Sequence, residues 1–208
     1  MSIEIELKLS ADPEDLPRVL ALDALRPLLA APPVVQQLVS IYYDTPEGAL
    51  RQRGVALRLR RVGSRWIQTL KSKGQDQDGL TTRQELETPS DGQALDFSGL
   101  DDAALRAFLE SEALLRQLKP RFITDFERVT QLLRCADDTV IELAIDRGEV
   151  RTGARTAPIS EIELELKSGN QDRLREVARL LQGSLRLNPE SVSKAERGYR
   201  LLSPDEAP

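Results

Sequence analysis

The chain has 208 residues, one cysteine, no histidine and a formal net charge of −5. The lack of histidine removes every mechanism built on an imidazole base, Ser-His-Asp and Cys-His arrangements included. With Cys135 alone it also disfavours zinc and leaves carboxylates as metal ligands, which suit Mg²⁺, Mn²⁺ or Ca²⁺.

The acidic balance argues against a broad nucleic-acid-binding surface. No apolar run reaches the roughly 18 residues of a membrane span. A basic segment followed by an apolar run is absent from the N-terminus, and one cysteine fits the cytoplasm. Length and an unbroken composition predict a single domain over residues 1–208.

In chain order, "MSIEIELKLS" alternates Glu4, Glu6 and Lys8 with Ile3, Ile5, Leu7 and Leu9, which predicts a strand. "ADPEDLPRVLALDALRPLLA" reads as a helix, with Asp12 as cap, Pro13 in its first turn and Pro32-Pro33 as its end. "VVQQLVSIYYDT" reads as a strand, followed by strands over "VALRLRRV", "RWIQTLK" and "TTRQELET". The first two of those three turn at Gly63-Ser64, and a polar loop, "SKGQDQDG", joins the second to the third. A helical stretch broken in the middle is expected over "DDAALRAFLESEALLRQL". A meander then runs through "RFITDFERVTQLLRC", "TVIELAID" and "EVRTG", and "ISEIELELKS" adds a long strand. Asn170 caps a helix over "QDRLREVARLLQG", stopped by Gly183, and a short last helix covers "SKAERGYRLL".

The strand faces carry the chemistry. Glu4, Glu6 and Lys8 share one face, Arg58 and Arg60 another, and Lys71 alternates with Leu70. Arg83, Glu85 and Glu87 share a face, Arg128 lies in mid-strand, Glu142 and Asp146 oppose Ile141, Leu143 and Ile145, and Glu161, Glu163 and Glu165 oppose Ile162, Leu164 and Leu166. One such strand is an ordinary solvated sheet face. Seven in one chain predict that the sheet curls shut, with charges inside and helices covering the apolar outside. An eight-strand antiparallel barrel has room for one small ligand. Acids and bases together suit a polyanion cradled by Arg and Lys, with divalent cations on the carboxylates, a phosphoryl-transfer site without a P-loop.

Glu4-Ile5-Glu6-Leu7-Lys8 resembles the E-x-E-x-K signature of the CYTH family, the triphosphate tunnel metalloenzymes. "LRLR", "TLK", "RQE", "IELAID", "EIELEL" and "SKAERGY" follow in order, so the resemblance spans essentially the whole chain. "IYYDTPEGALRQRGVALRLR", "IELAIDRGEV" and "SKAERGYRLL" resemble most the bacterial inorganic triphosphatase branch, where a C-terminal helical CHAD domain often follows. The resemblance implies an α+β fold, an eight-stranded antiparallel β-barrel tunnel with helices outside. It implies metal-dependent hydrolysis of tripolyphosphate, with Mg²⁺ or Mn²⁺ as cofactor and an alkaline optimum. By it, Glu4 and Glu6 bind metal, joined by two of Glu161, Glu163 and Glu165, with Asp146 near a second metal. Three glutamates share that face, so the pair stays open, with Glu161 and Glu163 favoured. Lys8, Arg58, Arg60, Lys71 and Arg128 hold phosphate oxygens, Arg83 stands beside them on its strand, and Lys194 and Arg197 close the tunnel. For activating the attacking water, metal is favoured over Lys8, because Glu4 and Glu6 favour the charged form of that lysine.

A nucleoside triphosphate is an alternative substrate. Adenylate cyclase or thiamine triphosphatase activity on the same fold, or a binding module without turnover, are the competing readings. "GQDQDGLTTRQE" carries Asp76, Asp78, Gly79 and Glu85 at EF-hand offsets, but Gly74 stands at the first ligand position and the flanks are strands, so a polar turn is expected. Tyr42 and Tyr43 are read as packing residues, and Trp66 as lying outside the tunnel under a helix.

Overall fold

Ten alternating segments pair into one antiparallel sheet that closes on itself. The structure, a computed structural model, describes residues 2–77, 79–92 and 94–202. The strands are β1 (Ser2–Ala11), β2 (Val34–Asp44), β3 (Val55–Val62), β4 (Arg65–Ser72), β5 (Gln75–Gln77), β6 (Leu80–Ser90), β7 (Lys119–Arg134), β8 (Val140–Thr152), β9 (Arg155–Ser168) and β10 (Leu187–Pro189). Their order is β1-β9-β8-β7-β2-β3-β4-β6, and β6 returns to β1, from Ser2 opposite Glu85 to Leu7 opposite Leu80. This closure gives the predicted eight-stranded barrel. β6 leaves β1 at Leu7, β10 takes up the same edge from Leu9, and β5 pairs with β6.

Helices α1 (Ala49–Gln52), α2 (Ala103–Leu109), α3 (Glu112–Leu115), α4 (Asp172–Gln182) and α5 (Lys194–Leu201) complete the fold. Leu174, Val177, Ala178 and Leu181 of α4 recur at helical spacing and pack on the outward Leu7, Leu9, Ile162 and Leu164. Each such side chain contributes about 1.5–3 kcal/mol when fully buried. A second outer cluster joins Leu57 and Leu70 to Leu50, Phe97 and Leu109. The third lies inside the barrel, where Tyr42, Phe122 and Phe126 meet Tyr199 and Leu202 of the α5 segment. α5 therefore plugs one end. Gly198 permits this, since a Cβ there would lie 2.2 Å from the Phe122 ring.

Several local expectations are corrected. The first helix is two 3₁₀ segments, Leu16–Ala21 and Asp23–Leu28, separated by an extended Leu22. Pro17 and Pro27 lack the N–H an α-helix interior needs and crowd the preceding turn. "TVIELAID" and "EVRTG" form one strand, β8. Gly148 lies where they join, and a Cβ there would sit 2.5 Å from Phe126. The polar loop holds the short β5. Asp78 of the EF-hand stretch lies outside the described residues; Asp76 accepts from the Thr81 hydroxyl at 3.0 Å and Glu85 faces Lys71 at 3.0 Å. Trp66 lies against Gly92 of a loop rather than under a helix, because glycine lets the backbone approach the indole.

Candidate active site in the barrel interior

Strand parity sends Glu4, Glu6, Lys8, Arg58, Arg60, Lys71, Arg83, Arg128, Glu163 and Glu165 to the wall of a cavity of about 750 Å³. Register then decides which charges meet. Glu6 lies opposite Glu165 and Lys8 opposite Glu163 across β1 and β9, while Glu142 lies opposite Glu165 and Asp146 opposite Glu161 across β8 and β9.

The signature carboxylates are neutralised from within. Lys71 donates to both oxygens of Glu4 at 2.7 and 3.0 Å. Arg83 bridges the pair, with Nε 2.6 Å from Glu4 and Nη2 2.7 Å from Glu6. Burial opposes the Glu4 charge, but Lys71 and Arg83 outweigh it and hold its carboxyl down at about 2. Lys8 lies between Glu6 at 3.9 Å and Glu163 at 3.7 Å.

At the α5 end, oxygens of Asp146, Glu161 and Glu163 lie within 4.8 Å of one another. Lys194 occupies their centre, 2.6 Å from Asp146 and 2.9 Å from Glu163 and bonded to Glu161 as well. Arg128 forks onto Asp146 at 2.7 and 2.6 Å and reaches Glu163, and Arg197 binds Glu161 at 2.9 Å. Asp146 and Glu161 are fully buried, and neither they nor Arg197 belong to the cavity wall. Lys194 is thus committed to carboxylates, as a staple that seats α5. Phe126 forms the floor beneath Lys194, Arg128 and Arg60, whose charges lie 5.0, 5.7 and 5.8 Å from its ring centre.

Arg58 and Arg60 are different. The carboxylates of Glu87 and Glu85 stand 3.8 and 3.9 Å from Arg58, beyond hydrogen-bond reach, and its buried Nε has no partner. Arg60 donates to the Ser40 hydroxyl at 3.0 Å and makes no ion pair among the described residues. Burial, with Arg58 and Arg128 alongside, pulls Arg60 down to about 9. Among the described residues neither guanidinium hydrogen-bonds a carboxylate, and Arg60 has no carboxylate within ion-pair distance.

Sequence reasoning missed Lys167 and Arg51, which also line the cavity. Lys167 continues the face of Glu161, Glu163 and Glu165, so parity held the signal. Arg51 sits on a short helix in a loop, where no periodicity points inward. It covers the Tyr199 ring at 4.8 Å and pairs with Glu196 at 3.1 Å. Tyr42 stacks on Phe122 at 4.7 Å, a packing role as expected.

The donor set suits a hard cation, for the inward ligands are all carboxylates and neither imidazole nor thiolate stands among them. Fold and site together define a closed antiparallel tunnel in which cations and carboxylates face one another across a space the size of a small polyanion. The chain belongs to the CYTH domain family, whose model matches residues 2–199. This is a family of triphosphate tunnel metalloenzymes, which implies a divalent metal.

The chain is 35% identical to the inorganic triphosphatase of Haemophilus influenzae over 207 residues, 96% of this chain and 55% of that protein. It therefore spans about half the length of the curated relative it matches. Among solved structures, a Hippeastrum protein described as an adenylyl cyclase with a dominant triphosphatase activity superposes with a TM-score of 0.59 at 20% identity, covering 99% of this chain and 100% of that one. A Bacillus halodurans protein described as an adenylate cyclase gives 0.54 at 18% identity, covering 92% and 97%. At those identities the likeness establishes the shared fold.

Proposed function

We propose that the barrel hydrolyses inorganic tripolyphosphate to pyrophosphate and orthophosphate with Mg²⁺ or Mn²⁺. The observation that carries this reading is the pair Arg58 and Arg60, which line the cavity with the acids: Arg58 is buried with an unpartnered Nε, and Arg60, half-buried, makes no ion pair among the described residues. A short linear polyanion satisfies the pair, and a divalent cation the acids.

Arg58 and Arg60 would grip non-bridging oxygens at one end of the substrate, with Arg128 below them. Glu6, Glu142 and Glu165 would hold the cation, with Glu4 beside them; Glu161, Glu163 and Asp146 are all engaged by Lys194. When bound, the cation supplies charge neutralisation at the phosphate oxygens and acidifies a coordinated water. Lys71, Arg83 and Lys8, now on carboxylates, are placed to turn to phosphate as negative charge arrives. The tunnel holds the chain straight, so that water attacks a terminal phosphorus in line with the bridging oxygen that leaves.

The cavity's aromatic lining residues are Tyr42 and Tyr199 among the described residues. Tyr42 is stacked on Phe122, and Tyr199 is edge-on to Phe122 and covered by Arg51. Both are only 5% exposed and so offer no open platform for a nucleobase or thiamine ring, which favours inorganic substrate over the cyclase and thiamine triphosphatase readings. The same proposal takes residues 1–208 as one CYTH domain working in the cytoplasm.

The test is phosphate release from tripolyphosphate, ATP, thiamine triphosphate and pyrophosphate, each with Mg²⁺ or Mn²⁺. Tripolyphosphate should turn over fastest. Faster conversion of ATP to cyclic AMP would replace this reading with the cyclase one, and tight tripolyphosphate binding without phosphate release would replace it with a binding module.

A further inference from the structure

Glu165 stands between two like charges, Glu6 on β1 and Glu142 on β8. Like charges directly opposite on neighbouring strands repel, and while Arg83 and Lys8 neutralise Glu6 from 2.7 and 3.9 Å, Glu165 and Glu142 need a cation of their own. Lys167, two residues along the same face of β9, provides it. Its Nζ lies 2.8 Å from Glu165 and 3.6 Å from Glu142. Among the described residues, no other Lys or Arg lies within ion-pair distance of either carboxylate.

We infer that Lys167 is a resident counter-ion of the acidic rung, holding the place a divalent cation takes there, so that its departure sets the metal affinity of the tunnel. The inference rests on the proposed reading of the barrel as a metal-dependent triphosphatase. Lys71 and Arg83 also grip two carboxylates each, but they are enclosed, only 16% and 13% exposed. The Lys167 side chain is 38% exposed, so its ammonium can leave the rung for water at little cost. It is a positioning residue, one that keeps the rung folded and ready in the absence of metal yet yields to a doubly charged competitor. Affinity for free cation is thereby held down, and a stronger cation is needed to fill the site.

The test is Mn²⁺ alone, without phosphate, titrated into purified wild-type, K167M, K167Q, K167R and K73M proteins. The readout is the loss of the free-Mn²⁺ electron paramagnetic resonance signal, at about 0.15 M ionic strength to screen distant charges. Lys73 lines the same cavity but makes no ion pair among the described residues, so K73M removes equal charge without touching the rung. K167M and K167Q should bind Mn²⁺ at least about tenfold more tightly than wild type, about 1.4 kcal/mol. K167R and K73M should stay within about threefold of wild type, below that threshold. Using both Met and Gln guards against a folding defect peculiar to one of them, and unchanged melting temperatures confirm that the fold is kept. Equal or weaker Mn²⁺ binding in K167M and K167Q, beside normal binding in wild type, overturns the inference alone. An equal gain in K73M does so too. No Mn²⁺ binding by any of the proteins overturns the metal-dependent reading and the inference with it.

Discussion

The ammonium of Lys71 on β4 lies 2.7 Å from one oxygen of Glu4 on β1 and 3.0 Å from the other, although β6 runs between the two strands. The contact spans the closure of the barrel, and Arg83 on the intervening strand reaches the same carboxylate. Acid and base of the tunnel are thus paired with each other before any ligand arrives.

Glu4→Gln keeps size and hydrogen bonding but removes charge. Hydrolysis of tripolyphosphate should fall by about two orders of magnitude or more, since charge stabilisation by a metal is worth several kcal/mol. Steady-state rates at saturating metal measure it, and near-wild-type turnover in E4Q would remove Glu4 from the machinery.

The same variant has a pH signature. Glu4 is held at about 2 in the fold, against 4.5 for an ordinary glutamate. A depressed carboxyl stabilises the fold fully above its unfolded value and loses that contribution as pH falls from about 4.5 towards 2. The gap in melting temperature between wild type and E4Q should therefore be widest near neutrality and narrow through that window. A gap that stays constant down to pH 2.5 would contradict the pairing.

Arg60→Met should separate stability from function. A half-buried cation without an anion is costly, so the substitution should leave the ligand-free protein as stable or raise its melting temperature by about 2–4 °C per kcal/mol regained. The same change should raise KM for tripolyphosphate at least tenfold, about 1.4 kcal/mol of lost binding. A large fall in melting temperature would mean that Arg60 has a structural anion after all.

Removal of metal by EDTA should abolish turnover without unfolding the protein. Lys71, Arg83, Lys167 and Lys194 already satisfy the acids, unlike small metal-dependent folds that collapse on chelation. Differential scanning calorimetry with and without EDTA should show melting temperatures within about 3 °C of each other. A fall of tens of degrees would give the metal a structural role.

Gly198→Ala drives a methyl group into the Phe122 ring, itself held between Tyr42 and Tyr199. Overpacking of this kind costs about 1–3 kcal/mol. Urea titration should show that loss, and protease nicking after Tyr199 should increase as α5 loosens. An unchanged urea midpoint would show that the helix end is free to shift.

The two faces of the sheet follow from local alternation. With a side-chain period of two, the run from Glu161 to Lys167 could place all its charges only on one side, and the apolar partners of those charges had to be covered by helices such as α4. The inward set and the barrel were legible for that reason, without any knowledge of register. Apolar spacing alone predicts one α-helix over the first helical stretch, but Pro17 and Pro27 lack the donors it needs and favour the two 3₁₀ segments.

Which charges meet depends on long-range folding. Lys194 and Glu161 are 33 residues apart and Lys71 and Glu4 are 67 apart, and nothing local distinguishes the carboxylate that a lysine will occupy from the one it will leave open. That choice follows from strand register and from the closure of β6 onto β1, which a one-residue slip would overturn. Parity put Glu161, Glu163 and Glu165 on the same wall with equal claims to a metal. The docking of α5 gave Glu161 to Lys194 and Arg197, and left Glu165 facing the tunnel between two other acids. A face is a local property of the backbone, whereas a partner is set by where distant strands and helices come to rest.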